Sequence, residues 1–302
     1  MKRKVLLFSV IALVLLTFVS CGEKEFEYES FDGGIKITAY NGDGGEVLIP
    51  EEIKGKSVVA IGEAAFDGSK AEKITVPDSV KVIEKYAFRR CGKLEEIKLP
   101  KGLKEIPDGC FTFDSALHKI EIPDTVESIG ENAFGSSCIH EITLPKSLKK
   151  IGDNAFYSCL HLESVESFGL VELGGNVFSG CASLKNVKLN EGVKTFGKSC
   201  FSGCSSLKEI ELPDSVEEIS FGMFSQSGIV DFTVSKGVKF IDRYAFEGCR
   251  SLQNVYIPDS VESMETMVFE GCKGITLHGS RDSQAEIYAD TYGYKYGEYI
   301  FE

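Results

Sequence analysis

Ten cysteines are the side chains with the widest chemical scope in this 302-residue sequence. Thiols can form disulfides, bind metal ions or act as nucleophiles. Six of them stand three residues after a recurring phenylalanine: Cys91, Cys159, Cys181, Cys204, Cys249 and Cys272. Elsewhere the same position holds Ser69, Asp114, Ser137 and Ser227. A small side chain is therefore sufficient there, and we predict free thiols packed as small apolar residues. Disulfides between successive motifs remain an alternative, although three successive cysteines cannot all pair.

Histidines are the second candidate group for chemistry, and His118 and His140 fall in the same position of successive motifs. Glu95 and Glu163 occupy that position in the motifs on either side. Two neighbouring imidazoles flanked by carboxylates could bind a transition metal. Solvated polar positions at the start of a strand are the simpler interpretation, and we predict no cofactor.

Several classes of function are disfavoured by what the sequence contains. It has no Gly-Lys-Ser/Thr phosphate loop, no Gly-x-Ser-x-Gly elbow and no His-Glu-x-x-His motif, so we do not expect an enzyme. A formal net charge of −13 gives no electrostatic surface for nucleic acid. With 43% hydrophobic residues the chain has enough apolar side chains to form a core.

The first twenty residues have the pattern of a targeting segment. Lys2, Arg3 and Lys4 precede an apolar run over residues 5–19, which is shorter than the roughly 20 residues of a membrane-spanning helix. Ser20 and Cys21 follow this run, and the order resembles a bacterial lipobox. That resemblance implies cleavage before Cys21 and lipid attachment to its sulfur, which would anchor the chain to a membrane. An ordinary cleaved signal and an uncleaved anchor are the alternatives.

The rest of the chain repeats one unit of 22 or 23 residues. A tetrapeptide related to Ile-x-Leu-Pro recurs throughout, and it contains seven of the eight prolines. A phenylalanine recurs in phase with it, at positions 66, 88, 111, 134, 156, 178, 201, 224, 246 and 269. Two columns that stay in phase over ten units are a specific signal of a repeat protein.

Each unit predicts a short strand followed by a return segment and a tight turn. Residues 94–100 alternate apolar and polar side chains, which is typical of a strand, and proline ends it because it cannot donate to a ladder. A tight, helical turn around each column phenylalanine would direct the ring inward. Since one unit cannot bury its own apolar face, neighbouring units must stack. We therefore expect a mainly β, right-handed solenoid of about ten turns.

This pattern resembles the BspA-type bacterial leucine-rich repeats over about residues 25–298. The resemblance implies a cell-surface protein that adheres to host matrix proteins or to other cells. We predict a signal peptide at 1–20, a lipidated N-terminal β cap at 21–49, repeats at 50–278 and a C-terminal cap at 279–302. A hairpin turning at Asp32 would form the first cap, and a helix from Ser283 followed by a strand would form the second. Five of the eleven tyrosines fall near the C-terminus, where an exposed aromatic patch is the alternative to a cap.

The outward positions of the predicted strands are the candidate binding surface, because the curvature of solenoids creates extended binding faces. We select six of them as ligand-binding candidates: Lys98, Glu121, Glu166, Lys188, Glu211 and Tyr256. Opposite charges on neighbouring turns would form cross-strand pairs that keep this face soluble. We expect a protein partner and a location in the cell envelope, on the outer membrane or cell surface. A periplasm-facing scaffold or sensor partner, or a glycan- or metal-binding module, are the alternatives.

Overall fold

The computed structural model describes residues 25–301, and it is a solenoid of parallel strands. The chain starts with an antiparallel hairpin formed by β1 (Phe26–Phe31) and β2 (Gly34–Tyr40), as the sequence predicts. The strands that follow are β3 (Gly45–Leu48), β4 (Glu52–Ile53), β5 (Lys56–Ile61), β6 (Ala71–Thr75), β7 (Val82–Ile83), β8 (Glu96–Lys98), β9 (Glu105–Ile106), β10 (Ser128–Ile129), β11 (Glu141–Leu144), β12 (Lys150–Ile151), β13 (Ser164–Ser167), β14 (Glu172–Leu173), β15 (Asn186–Lys188), β16 (Thr195–Phe196), β17 (Glu218–Ile219), β18 (Asp231–Thr233), β19 (Phe240–Ile241), β20 (Asn254–Tyr256), β21 (Ser263–Met264) and β22 (Thr276–Gly279). Helix α1 (Gln284–Tyr292) and strand β23 (Lys295–Glu298) complete the fold.

Two sets of strands run along the solenoid, one on each side of the core. The longer strands form three sheets, with orders β3-β6-β8, β11-β13-β15 and β18-β20-β22-β23. The two-residue strands pair on the other side, in the orders β9-β10-β12-β14-β16 and β17-β19-β21. In both sets, equivalent residues of successive turns face each other, for example Ile74 with Ile97 and Ile129 with Ile151. Most turns therefore add one rung to each ladder.

The ten column phenylalanines form one continuous stack inside the solenoid, which confirms the prediction. Each ring is at most 1% exposed, and the centroids of successive rings lie 5.1–5.8 Å apart. This spacing follows the rise of about 4.8 Å between neighbouring strands, so the strand ladder sets the contact between rings. The core extends without a break from the N-terminal hairpin to α1.

Each column ring is held by a turn with two residues in the left-handed region. The residues two before and two after the phenylalanine both have φ near +60°, as in Asn154 (58°) and Ser158 (55°) around Phe156. The chain reverses twice within five residues, which drives the ring inward. The turn is tight, as the sequence predicts, but it consists of successive non-helical turns.

The column cysteines are free thiols that bind the backbone of the preceding turn. Each Sγ donates to the carbonyl of the column phenylalanine one turn earlier, at 3.0–3.2 Å. Burial raises the pKa of the Cys204 thiol to about 12, which keeps it protonated as a donor. Cysteine thus combines the small size that the position requires with a hydrogen bond to a buried carbonyl.

Asp114 occupies the thiol column and is fully buried. Its Oδ1 accepts the backbone N–H of Cys91 at 2.8 Å, whereas its Oδ2 has no hydrogen-bond partner. Burial raises the pKa of Asp114 well above its usual range, so the carboxyl is neutral in the fold. An acid in this position is the exception in a column of thiols and hydroxyls.

Aromatic side chains cover both ends of the stack. At the N-terminus the ring of Tyr40 stacks on Phe66 at 5.1 Å. At the C-terminus Tyr288 and Tyr294 pack edge-on against Phe269, at 5.7 and 5.8 Å. The Tyr288 hydroxyl also accepts the backbone N–H of Val268 at 3.0 Å. Tyr288 of α1 and Tyr294 after it therefore act as a cap, which protects the last rung from solvent.

We predict that Phe156→Ala destabilises the solenoid by about 3–5 kcal/mol, because it leaves a cavity between two stacked rings. Phe168→Ala is the matched control, since that ring is 44% exposed, and it should change the free energy of unfolding by less than about 0.5 kcal/mol. Urea unfolding followed by circular dichroism measures both. Equal effects of the two variants would contradict the interior stack.

We predict that Asp114→Asn stabilises the protein at pH 7.5 by about 1–3 kcal/mol, because the amide is neutral without the proton that the buried carboxyl must take up on folding. A carboxyl whose pKa is raised on folding contributes most below its unfolded pKa of about 3.9 and loses that contribution as the pH rises. The advantage of the variant should therefore shrink towards pH 4. Asp124→Asn, at an exposed aspartate, is the control. An advantage that is independent of pH would contradict a neutral Asp114.

Candidate functional site

The strand face, defined as the solvent-facing side chains of the longer strands and their equivalents, is the candidate site. All six predicted ligand-binding residues lie on this face. Four of them are in strands: Lys98 in β8, Glu166 in β13, Lys188 in β15 and Tyr256 in β20. The other two, Glu121 and Glu211, occupy the equivalent position in turns that form no strand there. The Lys188 ammonium pairs with Glu166 at 2.6 Å, as predicted for a cross-strand pair. Between residues 25 and 301 no ion pair joins Lys98 to Glu121, so that expected pair is not formed.

The ladder of the strand face is interrupted twice, at residues 119–122 and 209–212, which we call the first and second interruptions. Neither segment is part of a sheet, and within the described residues their backbone groups form no hydrogen bond to a neighbouring turn. Their apolar side chains stay in the core, since Ile120 and Ile210 are only 6% and 8% exposed. The core is therefore continuous where the surface ladder is open.

A change in loop length accompanies both interruptions. In most turns the first buried strand residue follows the column phenylalanine by six positions, as Leu117 follows Phe111. In the turn directly after each interruption the interval is five, from Phe134 to Ile139 and from Phe224 to Ile229. The same interval separates Phe66 from Ala71, where β6 still pairs with both β3 and β8, so the shorter loop does not by itself open the ladder. The residue directly before each segment still accepts one backbone hydrogen bond from the next turn, for example Lys208 O from Val230 N–H at 3.1 Å. Within the described residues the segments themselves form no ladder bond.

Each interruption opens a cleft on the strand face. The first contains a cleft of about 940 Å³, between β8 and residues 119–125. The second contains a cleft of about 590 Å³, bounded by β15, residues 209–213 and β18. Glu121 and Glu211 occupy equivalent positions in the two segments, four turns apart, which corresponds to about 19 Å along the solenoid. Four of the six predicted binding residues therefore line clefts, Lys98 and Glu121 in the first and Lys188 and Glu211 in the second.

The two clefts differ in charge. The first cleft is lined by Lys98 and Lys101 as well as by Glu121 and Asp124, so positive and negative charges offset each other there. Lys73 also lines it, and its hydrogen bond to Glu96 raises the pKa of the Lys73 ammonium above its usual value.

The second cleft is acidic. It is lined by four acidic side chains, Glu191, Glu209, Glu211 and Asp231. Its two lysines are already paired with acids outside the cleft, Lys185 with Glu163 at 3.0 Å and Lys188 with Glu166 at 2.6 Å. Positive charge within the cleft is thus largely neutralised, and the carboxylates of Glu209 and Glu211 form no ion pair within residues 25–301.

An aromatic platform, formed by Tyr256, His278 and Tyr299, ends the strand face at its C-terminal side. The Tyr256 and His278 rings stack with centroids 4.6 Å apart, and Tyr299 meets Tyr256 edge-on at 5.0 Å. Gly297 lies beside His278, and a Cβ there would come within 2.7 Å of the imidazole Nδ1. Glycine at this position therefore allows the imidazole to lie flat against the strand.

A chain of hydrogen bonds connects the platform to the second cleft. His278 Nε2 lies 3.0 Å from Asn254 Oδ1, and Asn254 Nδ2 donates to Asp231 Oδ1 at 2.7 Å. These contacts orient the imidazole and the carboxylate on three neighbouring strands. The acidic cleft and the platform are consequently one contiguous surface.

His118 and His140, the predicted metal ligands, are neighbours on successive turns, with ring centroids 5.0 Å apart. His161 joins them at 5.5 Å from His140. In the part of the chain that the structure describes, no three histidine, cysteine or acidic side chains are grouped so that they could hold a metal ion. A metal site at His118 and His140 stays a prediction.

Two features of this site were missed at the level of sequence. The shortened intervals after Phe134 and Phe224 are visible in the sequence, but the equal interval after Phe66 leads into the paired strand β6, so interval length alone does not identify an interruption. The platform left no such signal, because Tyr299 follows the repeats and is brought to Tyr256 only by β23.

The predicted signal peptide at 1–20 and the lipid attachment site Cys21 lie outside the described residues. Among residues 25–301, no helix combines the length and the apolar character that crossing a membrane requires.

The solenoid has close counterparts among solved structures. A leucine-rich repeat protein from Bacteroides ovatus superposes with a TM-score of 0.77 at 30% identity, over 84% of this chain and 70% of that one. The T. pallidum leucine-rich repeat protein superposes with a TM-score of 0.59 at 36% identity, over 61% of this chain and 89% of that one. No protein of curated function matches the sequence significantly.

The family profile of the BspA type leucine rich repeat region matches residues 51–163 and 171–294. These ranges include the column phenylalanines from Phe66 to Phe269 and both interruptions. The chain therefore belongs to the BspA-type leucine-rich repeat family.

Proposed function

We propose that this protein is a cell-envelope lipoprotein, anchored through Cys21, whose strand face binds a protein partner. The partner we favour is a host matrix protein or a surface protein of another cell, and the chain serves as a binding scaffold rather than as an enzyme. A largely polar strand face with two clefts, carried by a continuous core, is the observation that supports this proposal. The membership of a bacterial leucine-rich repeat family supports it.

The alternation of buried and exposed side chains along the strands supports a role in binding. Alternate strand residues are buried, as in the Glu141–Leu144 strand, so the other half is free to vary without loss of core packing. Polar contacts spread over several turns give specificity and favourable association rates. A lipid anchor at Cys21 would hold this surface at a membrane.

Charge supports a position away from the lipid surface. Removal of residues 1–20 would take away Lys2, Arg3 and Lys4 and no acidic residue, which changes the formal net charge from −13 to −16. Anionic lipids repel such a body. The strand face would then be available to a partner rather than to the bilayer.

We predict that reversing four strand-face charges (Lys98→Glu, Glu121→Lys, Glu166→Lys and Lys188→Glu) weakens partner binding at least tenfold. The purified chain beginning at Gly22 is tested against immobilised collagen, laminin and fibronectin, with soluble polysaccharides as a second panel. The net charge is unchanged by this set of substitutions, so an effect reports on the pattern of charges rather than on their sum.

The matched control reverses four charges on the opposite set of strands: Lys104→Glu, Glu127→Lys, Lys150→Glu and Glu172→Lys. These residues form two exposed ion pairs, at 2.7 and 3.0 Å, so the substitutions should cost little stability. Binding that both variants lose equally, or that neither loses, would argue against the strand face.

We predict that proteases added to intact cells cleave the chain, because adhesion requires display on the cell surface. Immunoblotting before and after treatment measures this, and a periplasmic protein serves as the control for cell integrity. Full protection on intact cells, with cleavage after permeabilisation, would favour the alternative of a periplasm-facing scaffold or sensor partner.

A further inference from the structure

The surface from the second interruption to the aromatic platform has three properties that occur together only here on the described strand face. The first is an open ladder. Residues 209–212 have backbone N–H and C=O groups without a partner in a neighbouring turn, and these groups border a cleft of about 590 Å³. Water or the polar side chains of a bound segment can provide hydrogen bonds to such groups.

The second property is unbalanced negative charge. Glu209 and Glu211 form no ion pair within the described residues, and Asp231 is held by an uncharged partner, Asn254. The equivalent first interruption has the same backbone opening, but lysines offset its acids. The two sites therefore share a shape and differ in the charge of the ligand they favour.

The third property is an exposed aromatic surface next to these acids. Tyr299 is 43% exposed and meets Tyr256 edge-on, so the pair presents ring faces and edges to solvent. A guanidinium or ammonium group over a tyrosine ring gains about 0.5–2 kcal/mol. Tyrosine is also among the residues that contribute most at protein interfaces.

We propose that an extended, basic polypeptide segment of the partner binds across this surface, from the second interruption to the aromatic platform. One cationic side chain contacts the carboxylates of Glu209 and Glu211, and another stacks on the ring of Tyr256. Polar side chains of the segment hydrogen-bond to the open backbone groups beside the cleft. This inference rests on the proposed function, because it assigns the chemistry of the partner to a part of the same face.

The dimensions fit such a segment. Glu211 and Tyr256 are two turns apart, or about 10 Å at the usual strand spacing, which equals three residues of extended chain. Asp231 lies on the turn between them and is fixed by the hydrogen bond from Asn254 at 2.7 Å. Two arginines separated by one residue are about 6.6 Å apart along an extended chain, and their long side chains span the remaining distance to both ends of the surface.

The experiment uses a fluorescein-labelled ten-residue peptide of alternating arginine and threonine, with alternating glutamate and threonine as the negative probe. Fluorescence anisotropy with the chain beginning at Gly22 gives the dissociation constant at 0.15 M salt. We expect saturable binding of the arginine peptide and none of the glutamate peptide.

The dissociation constants of variants show which residues bind the arginine peptide. Tyr256→Ala leaves the net charge unchanged and should raise the dissociation constant at least tenfold, whereas Tyr256→Phe keeps the ring and should stay within threefold. Tyr299→Ala, close to the chain end, repeats the test if Tyr256→Ala melts early by circular dichroism. The double variant Glu209→Gln/Glu211→Gln should also raise the dissociation constant at least tenfold.

A matched double variant, Glu95→Gln/Asp124→Asn, removes two acidic charges that line the first cleft and should change the dissociation constant less than twofold. Equal losses in the two double variants would show that binding follows overall charge, and would overturn the proposal. Absence of saturable binding, or an unchanged constant in Tyr256→Ala, would also overturn it. If the strand-face charge reversal still abolishes matrix binding while the peptide fails, the proposed function stands and only this inference falls.

Discussion

The fold depends on contact between turns, because a single 22- or 23-residue unit has no core of its own. Each turn provides one phenylalanine ring, and every ring is buried only when a neighbour lies on both sides of it. The same physical requirement explains the ends of the molecule. Tyr40 covers the first ring and Tyr288 covers the last one, so the stack is not exposed to water at either terminus.

The interior tolerates chemical variation only within narrow limits of size and hydrogen bonding. The thiol column shows both limits, since Cys159 and Cys181 each fill a small site and donate to a carbonyl of the turn before. Asp114 is small enough for this position, but an ionised carboxylate has no proton to donate to a carbonyl of the preceding turn. Burial keeps the carboxyl protonated, which avoids a buried charge, but among residues 25–301 the Oδ2 atom still has no hydrogen-bond partner.

The surface is less constrained than the core, and this separation allows one fold to carry different binding sites. At both interruptions the ladder opens while Ile120 and Ile210 remain buried. Because hydrophobic burial has no directional requirement, a small offset between strands breaks backbone hydrogen bonds without opening the core. Two clefts with the same backbone but different charges, at Glu121 and Glu211, are the result.

The sequence alone determined the architecture. Spacing fixes which residues recur on each turn, and stacking is the only way for a unit of this size to bury them, so the repeat, the phenylalanine column and the capped ends were predictable. It also located the strand face and its six candidate residues, from Lys98 to Tyr256. Tertiary structure alone decided how these residues are grouped. Whether Lys98 pairs with Glu121 depends on offsets of a few ångströms between turns, and the approach of Tyr299 to Tyr256 depends on the path of the chain after the last repeat. Residue spacing encodes the order of the turns along the solenoid, whereas these distances arise only when the turns and the C-terminal strand pack together.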